Sequence, residues 1–436
     1  MQEFDKIVNR RGTNCYKYDE MPNDDTIALW VADMDFETAP CVTAALRKRM
    51  EHGCFGYTKV PESFYDSTIN WFARRHKWNG IKREWILYTS GVVPAVSAII
   101  KAVTQPGDKV LVQTPAYNCF YSSIRNNDCD VAEVPLQLNA SAPEYSTAIS
   151  QRDYFYTIDF DMFEKTCADP SVKVFLLCNP HNPTGRVWSQ YELMRMGEIC
   201  KRHGVFVIAD EIHCEFVNSS LTRNALLIEK TREERPHYHP FMSVSDAPCA
   251  VCLSPSKAFN IAGLQIANIV IKDDSTRRRV DRAININEVC DVNPFGVLAL
   301  EAAYTPEGEE WLLQLNSYIY SNYLFAKEYI EHNIPQWHVC SLEGTYLMWV
   351  DIEASSDSHV TKNDKLHDAD DLCEYLLQEA NVYVNSGTMY DHSTAGRHFI
   401  RINLATQRSR LAEGMRRIAE SINSTEINKD KNTQNI

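Results

Sequence analysis

Between about Lys82 and Lys272, short β-branched runs alternate with stretches of helical periodicity. That alternation predicts a mostly parallel sheet covered by helices, because parallel strands need long crossovers and bury both faces. The candidate strands are Val110–Gln113, Val174–Cys178, Val205–Ala209, Ala250–Leu253 and Ala267–Ile271. The helix between the second and third is marked at both ends: Ser189 and Glu192 form a capping box, and Gly204 stops it. Leu193, Met196, Ile199 and Cys200 share its inner face. Another helix begins near Val92. It carries Val96, Ile99, Ile100 and Val103 along one stripe, has Pro94 in its first turn and ends at Pro106-Gly107.

From about Asp291 the pattern changes to helices followed by strands at Tyr346–Ile352, Val382–Val384 and Phe399–Leu404, then a closing helix. Two domains are expected: a large α/β one over 48–288 and a smaller α+β one built from 1–47 and 289–424. The polar stretch Gln137–Asp153 is expected as an exposed excursion, and 425–436 as a frayed tail.

The length of 436 residues suits two domains, and 44% hydrophobic residues suffice for sizeable cores. A net charge of −14 argues against a nucleic-acid partner, which would call for clustered Lys and Arg. The longest apolar runs, such as Val205–Ala209 and Ile266–Ile271, are strand-sized and too short to span a membrane. The start, MQEFDKIVNRRGT, lacks the apolar core of a signal peptide, so a cytoplasmic protein is expected. The 14 cysteines are scattered, many in apolar strands where a thiol behaves as a small hydrophobe. Cys249 and Cys252 form one C-x-x-C inside an expected buried strand. Without a second pair or nearby histidines, no metal is expected there.

Ligands of doubly wound sheets collect beyond the carboxyl ends of the strands. There the sequence places Asn179-Pro180-His181-Asn182-Pro183-Thr184-Gly185, then Asp210-Glu211-Ile212-His213, then Ser254-Pro255-Ser256-Lys257. Thr89-Ser90-Gly91 precedes the helix near Val92. Singly these are a turn-rich loop, a helix cap and a solvated lysine. Together, each at a strand's end, they form one constellation.

That order, closed by a late Arg401-Ile402-Asn403, resembles the pyridoxal-5′-phosphate (PLP) enzymes of fold type I, the aspartate-aminotransferase superfamily. More narrowly, VADMDF (Val31–Phe36), FGY (Phe55–Tyr57), TPAY (Thr114–Tyr117) and DEIH look like the cystathionine β-lyase branch, with the maltose-regulon modulator and cystalysin. The resemblance runs from about Phe4 to Ile422. It implies a large domain with a helix-sandwiched sheet, a smaller α+β domain, and a homodimer with shared active sites.

The resemblance also implies roles. Lys257 becomes the Schiff-base lysine and, once freed, the base for the substrate's α-proton. Asp210 pairs with the pyridinium nitrogen, Asn182 donates to the ring's phenolic oxygen, and Tyr117 stacks on the ring and joins Lys257 as a catalytic residue. Ser90, Gly91 and Val92 offer backbone donors to the phosphate at a helix N-terminus. Ser254 adds a hydroxyl, and Tyr57 reaches the phosphate and substrate from the neighbouring subunit. Arg401 grips the substrate α-carboxylate with its planar fork, and Ala32, in the stretch Ala32-Asp33-Met34-Asp35, is expected to contribute to the substrate's leaving-group pocket. His213 contacts the cofactor where aminotransferases usually carry a tyrosine, and Gln265 stands where they usually carry a phosphate-binding arginine. Both departures occur in the lyase branch. The implied reaction is β-elimination from L-cystathionine or a related cysteine S-conjugate, giving pyruvate, ammonia and a thiol. The alternatives are an aminotransferase of a neutral or aromatic amino acid, and a PLP-binding regulatory protein acting through protein contacts.

Overall fold

The computed structural model describes residues 4–139, 154–218, 236–286, 288, 291–352 and 367–433. Its centre is a seven-stranded sheet of β1 (Ile86–Thr89), β2 (Lys109–Thr114), β3 (Asp130–Pro135), β4 (Val172–Cys178), β5 (Phe206–Asp210), β6 (Cys249–Leu253) and β7 (Ala267–Val270). The spatial order is β1-β7-β6-β5-β4-β2-β3. β7 runs antiparallel to both neighbours, and every other pair is parallel. The other six strands therefore send their carboxyl ends to one edge.

All five expected strands of this region are present. β1 and β3 were not legible, because both lie at sheet edges and carry half-exposed, polar positions. β7 reverses because only the stretch 254–266 joins it to β6, and that stretch holds a single 3-10 turn and no α-helix. A parallel crossover generally needs a full helix.

The helix Gln190–His203 has the expected caps. Ser189 Oγ accepts from Glu192 N at 3.2 Å, Glu192 Oε2 accepts from Ser189 N at 2.8 Å, and Gly204 takes φ +71°. Cys249 and Cys252 are both buried on β6 in different core clusters, as residues three apart on a strand must face opposite sides.

A second, antiparallel sheet comprises β8 (His338–Val339), β9 (Leu347–Asp351), β10 (Asn385–Ser386) and β11 (Phe399–Asn403), in the order β8-β9-β11-β10. Val382–Tyr383 does not join it; it pairs in parallel with Ile27–Ala28 near the N-terminus. Gln137–Asn139 pairs with Phe155–Thr157 at the head of the expected excursion, and 140–153 lie outside the described residues. The closing helix Arg408–Thr433 covers most of the stretch expected to fray, since no Gly or Pro interrupts it after Gly414. Residues 434–436 lie outside the described residues. Among the described residues no helix is long and apolar enough to cross a membrane.

A buried ion cluster ties the loop after β4 to the approach to β9. Arg186 donates to Glu343 at 2.8 Å and to Glu192 at 3.1 Å, and all three are buried. Replacing Arg186 by Met strips these carboxylates of their cation. The expected loss is about 3–5 kcal/mol, read as a lower melting temperature. An unchanged melting temperature would mean the cluster does not hold the two parts together.

Candidate active site

Strand register fixes the floor of the site. Asp210 closes β5 directly opposite Cys178 on β4 and Cys252 on β6. At this edge a cavity of about 190 Å³ opens, and Asp210, Asn182, Tyr117, His213, Lys257 and Ala32 line it. Ser90, Gly91 and Val92 line it as well. They begin the helix Val92–Val103, which has no side-chain cap, so its first N–H groups remain available to an anion.

Lys257 Nζ donates to the carbonyl of Ala32 at 2.6 Å. Burial pushes its pKa below the ordinary lysine value and Arg401 lowers it further, while Asp33 and Asp210 pull the other way. Burial is also the main reason Asp210 is pushed up to about 6; the N–H of Ile212 and the charge of Lys257 limit the rise. A carboxylate so placed gains from a cationic partner. His213 is pushed down to about 3, first by burial and then by Lys257 and Arg401, so its imidazole is neutral. Its Nδ1 is buried without a hydrogen-bond partner. Burial lifts the Tyr117 phenol well above its usual value, with Cys119 the next cause, so it remains a donor.

Arg401 sits mid-strand in β11, between Trp349 and Asn385, and is buried. It is not on the cavity wall; it reaches the site through Asn182. Its Nη1 donates to Asn182 Oδ1 at 3.1 Å and its Nη2 to Trp30 O at 2.8 Å, while Tyr390 lies under the guanidinium at 4.6 Å. Among the described residues no carboxylate pairs with this charge, and its Nε is unsatisfied. Because Arg401 holds the carbonyl end of the Asn182 amide, the NH2 end is left to donate elsewhere.

Besides Arg401, two expected residues do not line the cavity. Ser254 Oγ donates to Ile266 O at 2.6 Å and accepts from Ser256 N at 3.0 Å, so its proton is committed to the backbone. Ser256, two residues on, lines the cavity instead. Both serines of Ser-x-Ser-Lys therefore stand at this edge, Ser256 on the cavity wall and Ser254 hydrogen-bonded behind it. Tyr57 is 98% exposed and forms a separate surface recess with Phe55 and Pro294, away from the main cavity.

Sequence reasoning also missed Cys178, although its place at the end of β4 could have flagged it. Gln265 lines the cavity at φ +54°. Tyr346 and Asn403, which reach Ala32 and its neighbours, had no local signal of this role. Among the described residues, His76, Cys214 and Glu215 are the one group spaced to hold a metal. Both Glu215 oxygens already accept from protein donors: Trp71 and His76 on one, Arg75 on the other. The main cavity thus offers one unpaired amine, one acid suited to a cationic ring, and a helix end for an anion.

Comparison with known proteins agrees with this geometry. The family description aminotransferase class I and II matches residues 24–418. The chain is 36% identical to cystathionine beta-lyase PatB of Bacillus subtilis, over 96% of this chain and 99% of that protein. It is 31% identical to protein MalY of Escherichia coli, over 97% and 99%. The solved structure of cystalysin from Treponema denticola, which contains pyridoxal 5′-phosphate, superposes with a TM-score of 0.83 at 28% identity, covering 98% of this chain and 100% of that one. By extent and identity, this chain belongs to the aminotransferase class I and II family.

Proposed function

We propose that this chain is a PLP-dependent carbon–sulfur β-lyase acting on L-cystathionine or related cysteine S-conjugates. The observation that carries the reading is the convergence of the Lys257 amine, the Asp210 carboxylate and the Asn182–Arg401 pair on one cavity. The donor set fits the cofactor. Asp210 suits a protonated ring nitrogen, the uncapped helix at Val92 suits a phosphate, and His213 and Asn182 suit polar atoms at the ring's edge. Tyr117 suits the ring face.

Bound PLP supplies an electron sink for the pair left behind when the substrate's α-proton departs. Lys257 Nζ, favoured in its neutral form by burial, takes that proton. Arg401 holds the α-carboxylate, its buried guanidinium otherwise facing only neutral carbonyls. The β-carbon–sulfur bond then breaks with its electron pair on sulfur, and hydrolysis of the remainder gives pyruvate and ammonia. The full-length match to a cystathionine beta-lyase supports elimination over transamination, as do His213 and Gln265 in place of the usual tyrosine and arginine. The enzyme works as a homodimer in which the exposed Tyr57 enters the partner's site, a reading supported by an aromatic ring with no cover in its own subunit. The cytoplasm suits its free cysteines.

The direct test incubates the PLP-loaded protein with L-cystathionine and no keto acid, following pyruvate and free thiol. Equal, catalytic release of both is expected, with none from Lys257→Ala. Amino transfer only after a keto acid is added would make the protein an aminotransferase. For Arg401→Ala, we expect kcat/KM to fall about 10–100-fold, or about 1.5–3 kcal/mol. A kcat/KM equal to the parent's would remove Arg401 from substrate binding.

Asp210 also predicts a pH signature in the cofactor-free protein. Its folded pKa, about 6 against an ordinary 3.8, means the fold favours the protonated acid. Its stabilising contribution is therefore full below pH 3.8 and is lost as pH rises through about 6. Asp210→Asn should melt higher than the parent at pH 8, lose that advantage near pH 4 and bind PLP more weakly. Equal melting temperatures at both pH values would refute the buried, raised carboxylate.

A further inference from the structure

The segment Trp30–Phe36 crosses the site without regular structure, and side chains from both halves hold its carbonyls. Asn385 Nδ2 joins Arg401 on Trp30 O, at 3.1 Å. Asn260, three residues beyond Lys257, donates to Met34 O and Phe36 O at 2.9 and 2.8 Å and accepts from Met34 N at 3.1 Å. Between these anchors, Asn403 Nδ2 donates to Val31 O and Asp33 O, both at 2.7 Å. One amide thus brackets Ala32 on both sides. Asn403 is fully buried, and its own Oδ1 accepts from Ala405 N at 2.8 Å. The carbonyl held between its two bonds, Ala32 O, takes Lys257 Nζ at 2.6 Å and Tyr346 OH at 3.0 Å, one donor for each lone pair.

We infer that Asn403 is a positioning residue for Lys257: it fixes the Ala32 carbonyl on which the lysine's free amine rests between proton transfers, with Tyr346 as that carbonyl's second donor. The inference rests on the proposed function, since it needs Lys257 to exchange protons with a bound amino acid. The half-buried amine already donates an N–H to the Ala32 carbonyl, and the direction of that bond sets where its lone pair points. A carbonyl free to shift by an ångström would scatter the lone pair away from the α-carbon. The same oxygen stabilises the ammonium once the proton has arrived.

The test uses Asn403→Ser and Tyr346→Phe, the second keeping its ring packing should the first fail to fold. The PLP-loaded proteins are given L-alanine, which has no β leaving group, in D2O, and α-proton exchange is followed by NMR. Exchange should slow about 5–50-fold in both, with L-alanine and PLP affinity within about twofold of the parent. The α-deuterium isotope effect should rise, which a purely structural role would not produce. In the cofactor-free proteins, the pH midpoint for carbamylation of Lys257 by cyanate should move to lower pH, because the oxygen favouring the ammonium is displaced. Unchanged exchange and an unchanged midpoint in the folded variants would overturn the positioning role. A parent that exchanges no α-proton would instead overturn the proposed function, and the cyanate midpoint alone would then decide the role of Asn403.

Discussion

Lys257 Nζ is half-buried and given a strong acceptor, the Ala32 carbonyl at 2.6 Å, and much of the architecture serves that contact. The lysine comes from the loop between β6 and β7, whereas the carbonyl belongs to a segment more than two hundred residues earlier. Neither makes the contact unless the N-terminal stretch is fastened to the body. The fastening is extensive: Ile27–Ala28 pairs with Val382–Tyr383, Asn403 N donates to Leu29 O, and Asp35 N donates to Ala405 O. Beneath the strap, the buried Lys17 lies 3.1 Å from Asp35, which Arg10 also contacts at 3.0 Å. A lowered lysine pKa is thus a property of the assembled chain, since a fluctuating strap would admit water and weaken the burial that lowers it.

The site keeps several polar groups short of partners, against the usual rule for buried groups. Asp210 is buried with a single backbone donor, Arg401 faces neutral oxygens, and His213 leaves a nitrogen unbonded. Each disfavours the empty fold and favours a ligand that would satisfy it. Elsewhere buried charges are matched closely. Glu215 accepts from Trp71, Arg75 and His76, and Arg186 is held by Glu192 and Glu343. Unsatisfied groups at the site beside satisfied clusters around it are what a binding cavity on a rigid support requires.

The sequence was most legible where one local rule governed the outcome. Alternating apolar runs exposed the inner strands, and the Ser189–Glu192 box with Gly204 bounded its helix. The grouping of residues at strand ends was legible because parallel pairing brings those ends to one edge, so chain order already implied proximity. The different settings of Ser254 and Ser256 were not legible, because both flank one turn and the Ile266 carbonyl that takes up the Ser254 hydroxyl is supplied by β7's side of the loop. Asn403 was visible as part of Arg-Ile-Asn, but its role depends on a strap that returns from the far end of the chain. Strand alternation does separate the two residues: Arg401 and Asn403 share one face of β11, so whatever fixes the arginine for substrate also aims the asparagine at the strap.

That shared face bears on the choice between elimination and amino transfer. Besides His213, which stays neutral, the cavity wall carries one basic side chain, Lys257, and one acid, Asp210, while Gln265 replaces an arginine. On the proposed reading the phosphate end relies on a helix N-terminus and neutral donors, which leaves the buried guanidinium of Arg401 for the substrate's carboxylate. Transfer requires a proton to be carried from the substrate's α-carbon to a second carbon. Elimination requires only that sulfur leave before that delivery occurs. On the proposed reading, Asn403 and Tyr346 hold the freed amine on Ala32 O, which leaves a thiolate at the β-position to depart before any second proton delivery.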